Sequence, residues 1–171
     1  IKLHIDFHHL NFSQAMCLNF FHPLIHEHEL KIVLDYLGFK DELIDDSTIC
    51  FEKDGIEKCY GESPTSFDFY FETKSRKKFY FEIKYTEQEF GKAKHDQSHE
   101  NKFEKVYSKH LAPITEEYKT MDKFLDHYQI LRNLIHLKDE SYVIFLYPED
   151  NQRIKSQAEN AKSSMITEKY K

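Results

Sequence analysis

The chain has 171 residues, 40% of them hydrophobic and 15% aromatic, which is enough to bury the core of one domain. Its formal net charge of -6 predicts long-range repulsion from a polyanion, which counts against a generally basic DNA-binding protein. No apolar stretch approaches the roughly 20 residues of a membrane-spanning helix, so a membrane protein is excluded.

The beginning of the chain predicts two helices within residues 13–38. Ser13 suits the N-cap of a short helix over residues 14–21, which should end at Pro23. A second helix follows, and Gly38 is placed to end it. Its buried stripe has the spacing i, i+3, i+4, i+7 and consists of Leu30, Val33, Leu34 and Leu37.

The next region, residues 48–86, predicts strands in hairpin-like succession. The expected strands cover residues 48–53, 56–60, 67–72 and 79–86. Asp54-Gly55, the segment 61–65 and a basic turn at 73–78 separate them.

The second half of the chain, residues 101–147, predicts helices followed by a strand. A polar stretch at 91–100 precedes helical patterns at 101–111 and, more strongly, at 121–137. The continuous apolar run 142–147 is typical of a strand covered on both faces. The remaining segment, 148–171, is polar and ends abruptly, so we expect the domain to continue beyond Lys171. A single domain over residues 1–171 is the expected organisation.

Charged residues interrupt two of the predicted strands. Glu82 and Lys84 lie in an aromatic run that starts at Phe79, and Asp68 lies in the run before it. Because side chains alternate across a strand, Glu82, Lys84 and Thr86 should share one face. If the two strands are neighbours, Asp68 joins them, and the group offers two hard oxygen ligands beside one positive charge.

These residues resemble the signature of the PD-(D/E)xK nuclease superfamily, the restriction-endonuclease-like group, in which an Asp on one strand precedes Glu-x-Lys on the next. Here Ser66-Phe67-Asp68 is followed, after thirteen residues, by Glu82-Ile83-Lys84. Only Glu82 combines β-forming neighbours with an Asp-bearing strand upstream; Pro64 precedes Asp68 by four residues instead of adjoining it. The same tripeptide pattern also starts at Glu29, Glu72, Glu100 and Glu117.

The resemblance extends over residues 10–147, to a bacterial subgroup of the superfamily, and implies both a fold and an activity. The implied fold is α/β: a restriction-endonuclease-like core with a mixed central sheet of about four strands flanked by helices. The implied activity is hydrolysis of phosphodiester bonds in DNA with Mg²⁺, for which Mn²⁺ should substitute. Asp68, Glu82 and the backbone carbonyl of Ile83 would hold the ion, and Lys84 would orient the attacking water or stabilise the developing charge.

Further positions are candidates for supporting roles. Many members of the superfamily add a helix Glu to the metal site, which here would be Glu29 or Glu27; Glu29 is favoured because Glu27 can instead pair with Lys31 at i, i+4. Gln14, Thr86 and Glu87 lie in the segments that carry the resemblance. One face of a predicted helix carries polar residues at the spacing i, i+3, i+4, i+7, namely Gln129, Arg132, Asn133 and His136. These residues either contact phosphate or support the sheet from below.

Two alternatives remain at this stage. The first is a non-catalytic domain that binds nucleic acid or a partner protein. The second is a zinc site built from clustered histidines, against which Pro23 counts because it interrupts the helical spacing of its neighbours; the cluster is His8, His9, His22, His26 and His28. Three cysteines without a CxxC pair predict reduced thiols and a cytoplasmic protein.

Overall fold

The computed structural model describes residues 13–171, which form a four-stranded mixed sheet flanked by helices. The predicted α/β architecture is therefore confirmed. The helices are α1 (Ser13–His26), α2 (Lys31–Tyr36), α3 (Gln97–Lys105), α4 (Met121–Asp126), α5 (Tyr128–Leu134) and α6 (Gln152–Asn160). The strands are β1 (Ile44–Asp54), β2 (Ser66–Thr73), β3 (Lys78–Ile83) and β4 (Ser141–Leu146).

The strands lie in the order β1-β2-β3-β4. The first three form an antiparallel meander, and β4 pairs with β3 in parallel. A parallel neighbour requires a crossover connection, and residues 84–140, which contain α3, α4 and α5, provide it. This arrangement buries β2 and β3, the two strands that carry the predicted site, at the centre of the sheet.

Aromatic residues fill the space between the sheet and the first two helices. Phe69 and Phe81 point toward α1, where Phe21 stacks on Phe69 with ring centroids 3.8 Å apart. Leu34 of α2 closes the same core. Each fully buried side chain of this size contributes about 1.5–3 kcal/mol, so this layer fixes α1 firmly against the sheet.

A second core covers the opposite face of the sheet. It is formed by α3 to α6 and the turns between them, and its fully buried members include Val106, Tyr107, Phe124, Leu131 and Ile154. The predicted helix 121–137 is two helices, because the backbone leaves the helical region at His127 (φ -121°, ψ 34°). The polar tail is also ordered: α6 buries Ile154 against this core.

The predicted strand at residues 56–60 is wrong. The segment forms a 3-10 turn, Ile56–Tyr60, directly after β1. The cause is Glu57, whose side chain is fully buried and accepts hydrogen bonds from the Thr65 and Tyr107 hydroxyls. In a strand, the Glu57 carboxylate would not reach these two hydroxyls.

Two helix boundaries also differ from expectation. α1 continues through Pro23 to His26, and the missing N–H of Pro23 leaves one backbone acceptor of α1 without its helical donor. α3 begins at Gln97, inside the predicted polar stretch, because the Asp96 side chain caps it by accepting from the His99 N–H. Gly38, at φ 91°, follows α2 as predicted.

Cys17, Cys50 and Cys59 are all free thiols in this structure. Within residues 13–171, no helix combines the length and the apolar character that a bilayer span requires.

Candidate active site

The site is centred where β2 and β3 separate. The regular pairing of the two strands ends at Phe69 and Phe81, so Asp68 and Glu82 follow as the next opposed positions. Beyond this point the backbone of β3 bonds to a side chain of β2 and not to its backbone: Asp68 Oδ2 accepts a hydrogen bond of 2.6 Å from the backbone N–H of Ile83. Because the N–H and C=O of one strand residue point to the same side, the Ile83 carbonyl is also directed toward β2.

Glu82, Lys84 and Gln129 form a connected group under the sheet. The Lys84 Nζ atom lies 3.4 Å from Glu82 Oε1 and donates to Gln129 Oε1 at 2.8 Å. The Gln129 amide in turn donates to Glu82 Oε1 at 2.7 Å. Glu82 and Lys84 are each only 5% exposed, so these two charges are removed from water and compensate each other.

Backbone contacts fix the orientation of Gln129. Its Oε1 atom accepts from the Gly91 N–H at 2.8 Å, and its own N–H donates to the Gly91 carbonyl at 2.9 Å. The loop that follows β3 is thereby attached to α5. Lys84 also lies over the Phe90 ring, 5.5 Å from its centroid, which supports the ammonium from the other side.

Asp68 has an unusual electrostatic environment. Burial and the neighbouring Glu82 charge raise its pKa from 3.8 to about 8, with Glu52 adding to the rise, and the Ile83 N–H and Lys84 opposing it. If Asp68 and Glu82 were both ionised, two carboxylates would face one ammonium and negative charge would be in excess, so Asp68 retains its proton at neutral pH. A divalent cation would relieve that excess and return the pKa of Asp68 to a lower value.

The N-terminal end of α1 reaches the same region. Gln14 donates to Glu52 Oε1 at 2.8 Å, and the Ser66 hydroxyl donates to Glu52 Oε2 at 2.7 Å. Glu52 lies on β1 between Phe51 and Lys53, which pair with Phe69 and Phe67 of β2, so it stands opposite Asp68. Its φ of 56° is strained for a non-glycine residue in a strand.

Comparison with family models assigns the chain to a known group. The model of restriction endonucleases associating with ARP, abbreviated REase-ARP, matches residues 1–171. The chain belongs to the REase-ARP family. No curated protein and no solved structure matches the chain. A restriction-endonuclease-like relationship, expected from Asp68, Glu82 and Lys84, is thus supported at the level of the family.

Two residues that contact this candidate site were not predicted from the sequence. Glu52 gave no signal, because its position depends on one backbone angle in β1. Cys17 lies on α1 and its thiol donates to the Asp68 carbonyl at 3.6 Å. Burial first, and then the charges of Asp68 and Glu52, raise the pKa of Cys17 far above its usual range, so this thiol stays protonated.

Two of the predicted supporting residues, Thr86 and Glu87, lie in the loop after β3. Glu87 accepts from the Ser13 hydroxyl and, at 2.7 Å, from the Tyr85 N–H, which links α1 to this loop. Thr86 does not continue β3 as expected, since the strand ends at Ile83 and Thr86 is exposed.

Other predicted residues lie away from the carboxylates. Glu29 is exposed in the turn after α1, at the opposite end of that helix from Gln14, so the fold does not bring it to Asp68. His136 supports the sheet, since it accepts from the Ile56 N–H and packs against the Phe67 and Tyr80 rings. Asn133 is 1% exposed, and its Nδ2 atom has no hydrogen-bond partner among the described residues. Arg132 lies over the Tyr128 ring.

The donor set defines what kind of ion the site fits. Within the part of the chain that the structure describes, no three His, Cys, Asp or Glu side chains converge as a metal-binding group. The described histidines therefore form no zinc site of this kind. His8 and His9 of the predicted cluster lie outside the described residues. Asp68, Glu82 and the Ile83 carbonyl supply oxygen donors only. Oxygen donors with several retained waters suit Mg²⁺, which is seldom enclosed by protein ligands alone.

Proposed function

We propose that this REase-ARP chain is a metal-dependent nuclease that hydrolyses phosphodiester bonds in DNA at Asp68, Glu82 and Lys84. The observation that carries the proposal is the burial of Lys84 and Glu82 as a pair, held by Gln129, beside a carboxyl on the neighbouring strand whose pKa is raised. Strong pKa perturbation together with a specific charge partner is characteristic of functional sites. The family assignment supports the same class of reaction.

Each residue has a role that follows from its chemistry. Asp68 and Glu82, with the Ile83 carbonyl, would hold Mg²⁺ or Mn²⁺, which supplies polarisation of the phosphate and a more acidic bound water. Lys84 carries three donors; among the described residues, it donates to Gln129 Oε1 at 2.8 Å, and Glu82 Oε1 lies 3.4 Å away. Its ammonium is thus available to orient a water or to stabilise charge on a phosphate oxygen.

The test is cleavage of plasmid and genomic DNA fragments in Mg²⁺ by the wild type and by Asp68→Ala and Lys84→Ala. We expect each variant to lose a factor of about 10² to 10³ in rate, the loss typical of one electrostatic group. Lys74→Ala is the matched control, since Glu72-Thr73-Lys74 has the same tripeptide pattern but Lys74 is exposed in a turn. It should cleave at the wild-type rate.

A result in which Lys84→Ala retains full activity would overturn the assignment. A folded wild type that cleaves none of these DNAs in Mg²⁺ or Mn²⁺ would favour the alternative, a domain that binds nucleic acid or a protein without catalysis. Circular dichroism of each variant separates loss of activity from loss of fold.

A further inference from the structure

The two edges of the sheet differ in how they are protected from pairing. β1 forms one edge and contains Asp45, Asp46, Glu52, Lys53 and Asp54, with a register shift between Asp45 and Cys50. Charges and irregularities of this kind are the usual means of blocking edge-to-edge association. β4 forms the other edge with the sequence SYVIFL, without a charge or proline, and in unbroken register with β3.

The backbone of β4 presents free hydrogen-bonding groups at this edge. The N–H of Lys84 donates to the carbonyl of Leu146, so even-numbered residues of β4 face β3. Because backbone groups alternate along a strand, Val143 and Phe145 direct their N–H and C=O groups away from β3. Within residues 13–171 neither has a backbone partner on that side. Another strand could therefore add here without disturbing the existing ladder.

A groove runs along the same edge. Its volume is about 730 Å³. Its apolar lining comes from Leu37 and Phe39 in the segment after α2, and from Ala158, Ala161 and Ile166 in α6 and the turns that follow. Charged residues also line it, namely Lys138, Asp139, Glu140, Glu159, Lys162, Lys169 and Lys171. Such a groove can receive the side chains of an added strand on both faces of the sheet.

The charges around β4 favour one orientation for that strand. Lys138 precedes the strand, whereas Glu149 and Asp150 follow it. None of the three has an ion pair within the described residues, while the intervening acids are already paired, Asp139 with Lys169 and Glu140 with Lys77. An antiparallel strand of the same sequence would bring its acidic end to Lys138, whereas a parallel one would juxtapose like charges.

We propose that the β4 edge binds the β4 edge of a second copy of this chain, in antiparallel orientation, with Val143 opposite Phe145 of the second copy. The two sheets then form one continuous sheet of eight strands. Two-fold symmetry makes the contact self-complementary, since each copy supplies the same groove and the same strand. The proposal rests on the fold and on the charges near β4, and it is independent of the nuclease assignment.

The first test is sedimentation velocity of the 171-residue protein over a range of concentrations at low salt. The wild type should form a dimer. Lys138→Glu and Asp150→Lys should each weaken the dimer about five- to tenfold, because like charges then meet across the contact. The double variant should recover the wild-type affinity. A wild type that stays monomeric, or a double variant that associates no more tightly than the single variants, would overturn the proposal.

The second test locates the contact. Val143→Pro removes an N–H from the free edge without removing a β3–β4 bond, and should abolish dimerisation, whereas Val143→Thr retains the N–H and should dimerise. Amide exchange of Val143 and Phe145 should slow as the dimer forms. Slow exchange in the monomer would show that a segment of the same chain covers the edge, and a folded Val143→Pro variant that still dimerises would place the contact elsewhere; both results would refute the proposal.

Discussion

At the scale of single residues, the site depends on one amide side chain. Gln129 joins Lys84, Glu82 and Gly91 through three hydrogen bonds, so it fixes the distance between the two charges. The proximity of Asp68, Glu82 and Lys84 could be predicted, because alternation relates Glu82 to Lys84 and the expected pairing of two neighbouring strands adds Asp68. Glu52 could not, since its place opposite Asp68 requires the bend at φ 56°, which no sequence pattern encodes.

Gln129→Ala should therefore reduce cleavage without abolishing it. Residues that orient a catalytic group are typically worth 10- to 100-fold, and the loss should fall on kcat, with KM nearly unchanged, because Gln129 positions Lys84 instead of contacting DNA. Single-turnover and steady-state kinetics measure this division. Gln88→Ala, in the exposed part of the same loop, is the control. A pure increase in KM would argue for direct contact with substrate.

The pKa of Asp68 predicts how stability depends on pH in the absence of divalent ions. The pKa is about 8 in the folded protein against 3.8 in the unfolded chain, so between these values the folded state holds the additional proton. The stabilisation of the folded state by the proton on Asp68 is therefore fully present below about pH 4 and is lost as pH rises through 8. Urea unfolding in EDTA should show a larger loss of stability from pH 5 to pH 9 for the wild type than for Asp68→Asn. Equal losses would contradict the raised pKa.

At the scale of elements, contacts with distant residues can override the secondary structure that a local sequence pattern predicts. Strands β2, β3 and β4 could be predicted from their apolar runs, and Gly38 correctly ended α2. The segment Ile56–Tyr60 could not, because burial of Glu57 against Tyr107, fifty residues away, decides its conformation. The break at His127 was missed for a similar reason: the apolar stripe of residues 121–137 continues across it.

Gly55→Ala should test this turn. An added Cβ would contact the Glu57 carboxylate and lie 2.8 Å from the Thr65 carbonyl oxygen, with no room for relaxation around a buried side chain. Overpacking of this kind costs about 1–3 kcal/mol, so the urea midpoint should fall. Gly91→Ala is the control, because its nearest neighbour would be 3.5 Å away. Equal midpoints for the two variants would show that the turn adjusts freely.

At the scale of the whole molecule, net charge opposes the proposed substrate. The chain carries -6, and Asp68 adds a further negative charge beside Glu82 once the pH exceeds its raised pKa of about 8. Affinity for DNA should therefore be weak in EDTA and should increase in Ca²⁺, which occupies oxygen sites of this kind but supports hydrolysis poorly. Fluorescence anisotropy with labelled DNA measures the difference. Equal affinity in EDTA and in Ca²⁺ would mean that the carboxylates do not bind DNA through a metal.

The most direct test of the central claim is anomalous diffraction from crystals soaked in Mn²⁺. The proposed nuclease site predicts a peak between the carboxylates of Asp68 and Glu82, within coordination distance of the Ile83 carbonyl, that disappears in Asp68→Ala crystals. A wild-type crystal with saturating Mn²⁺ and no peak at these residues, or with a peak only elsewhere, would contradict the claim that this REase-ARP chain uses them to bind a catalytic metal.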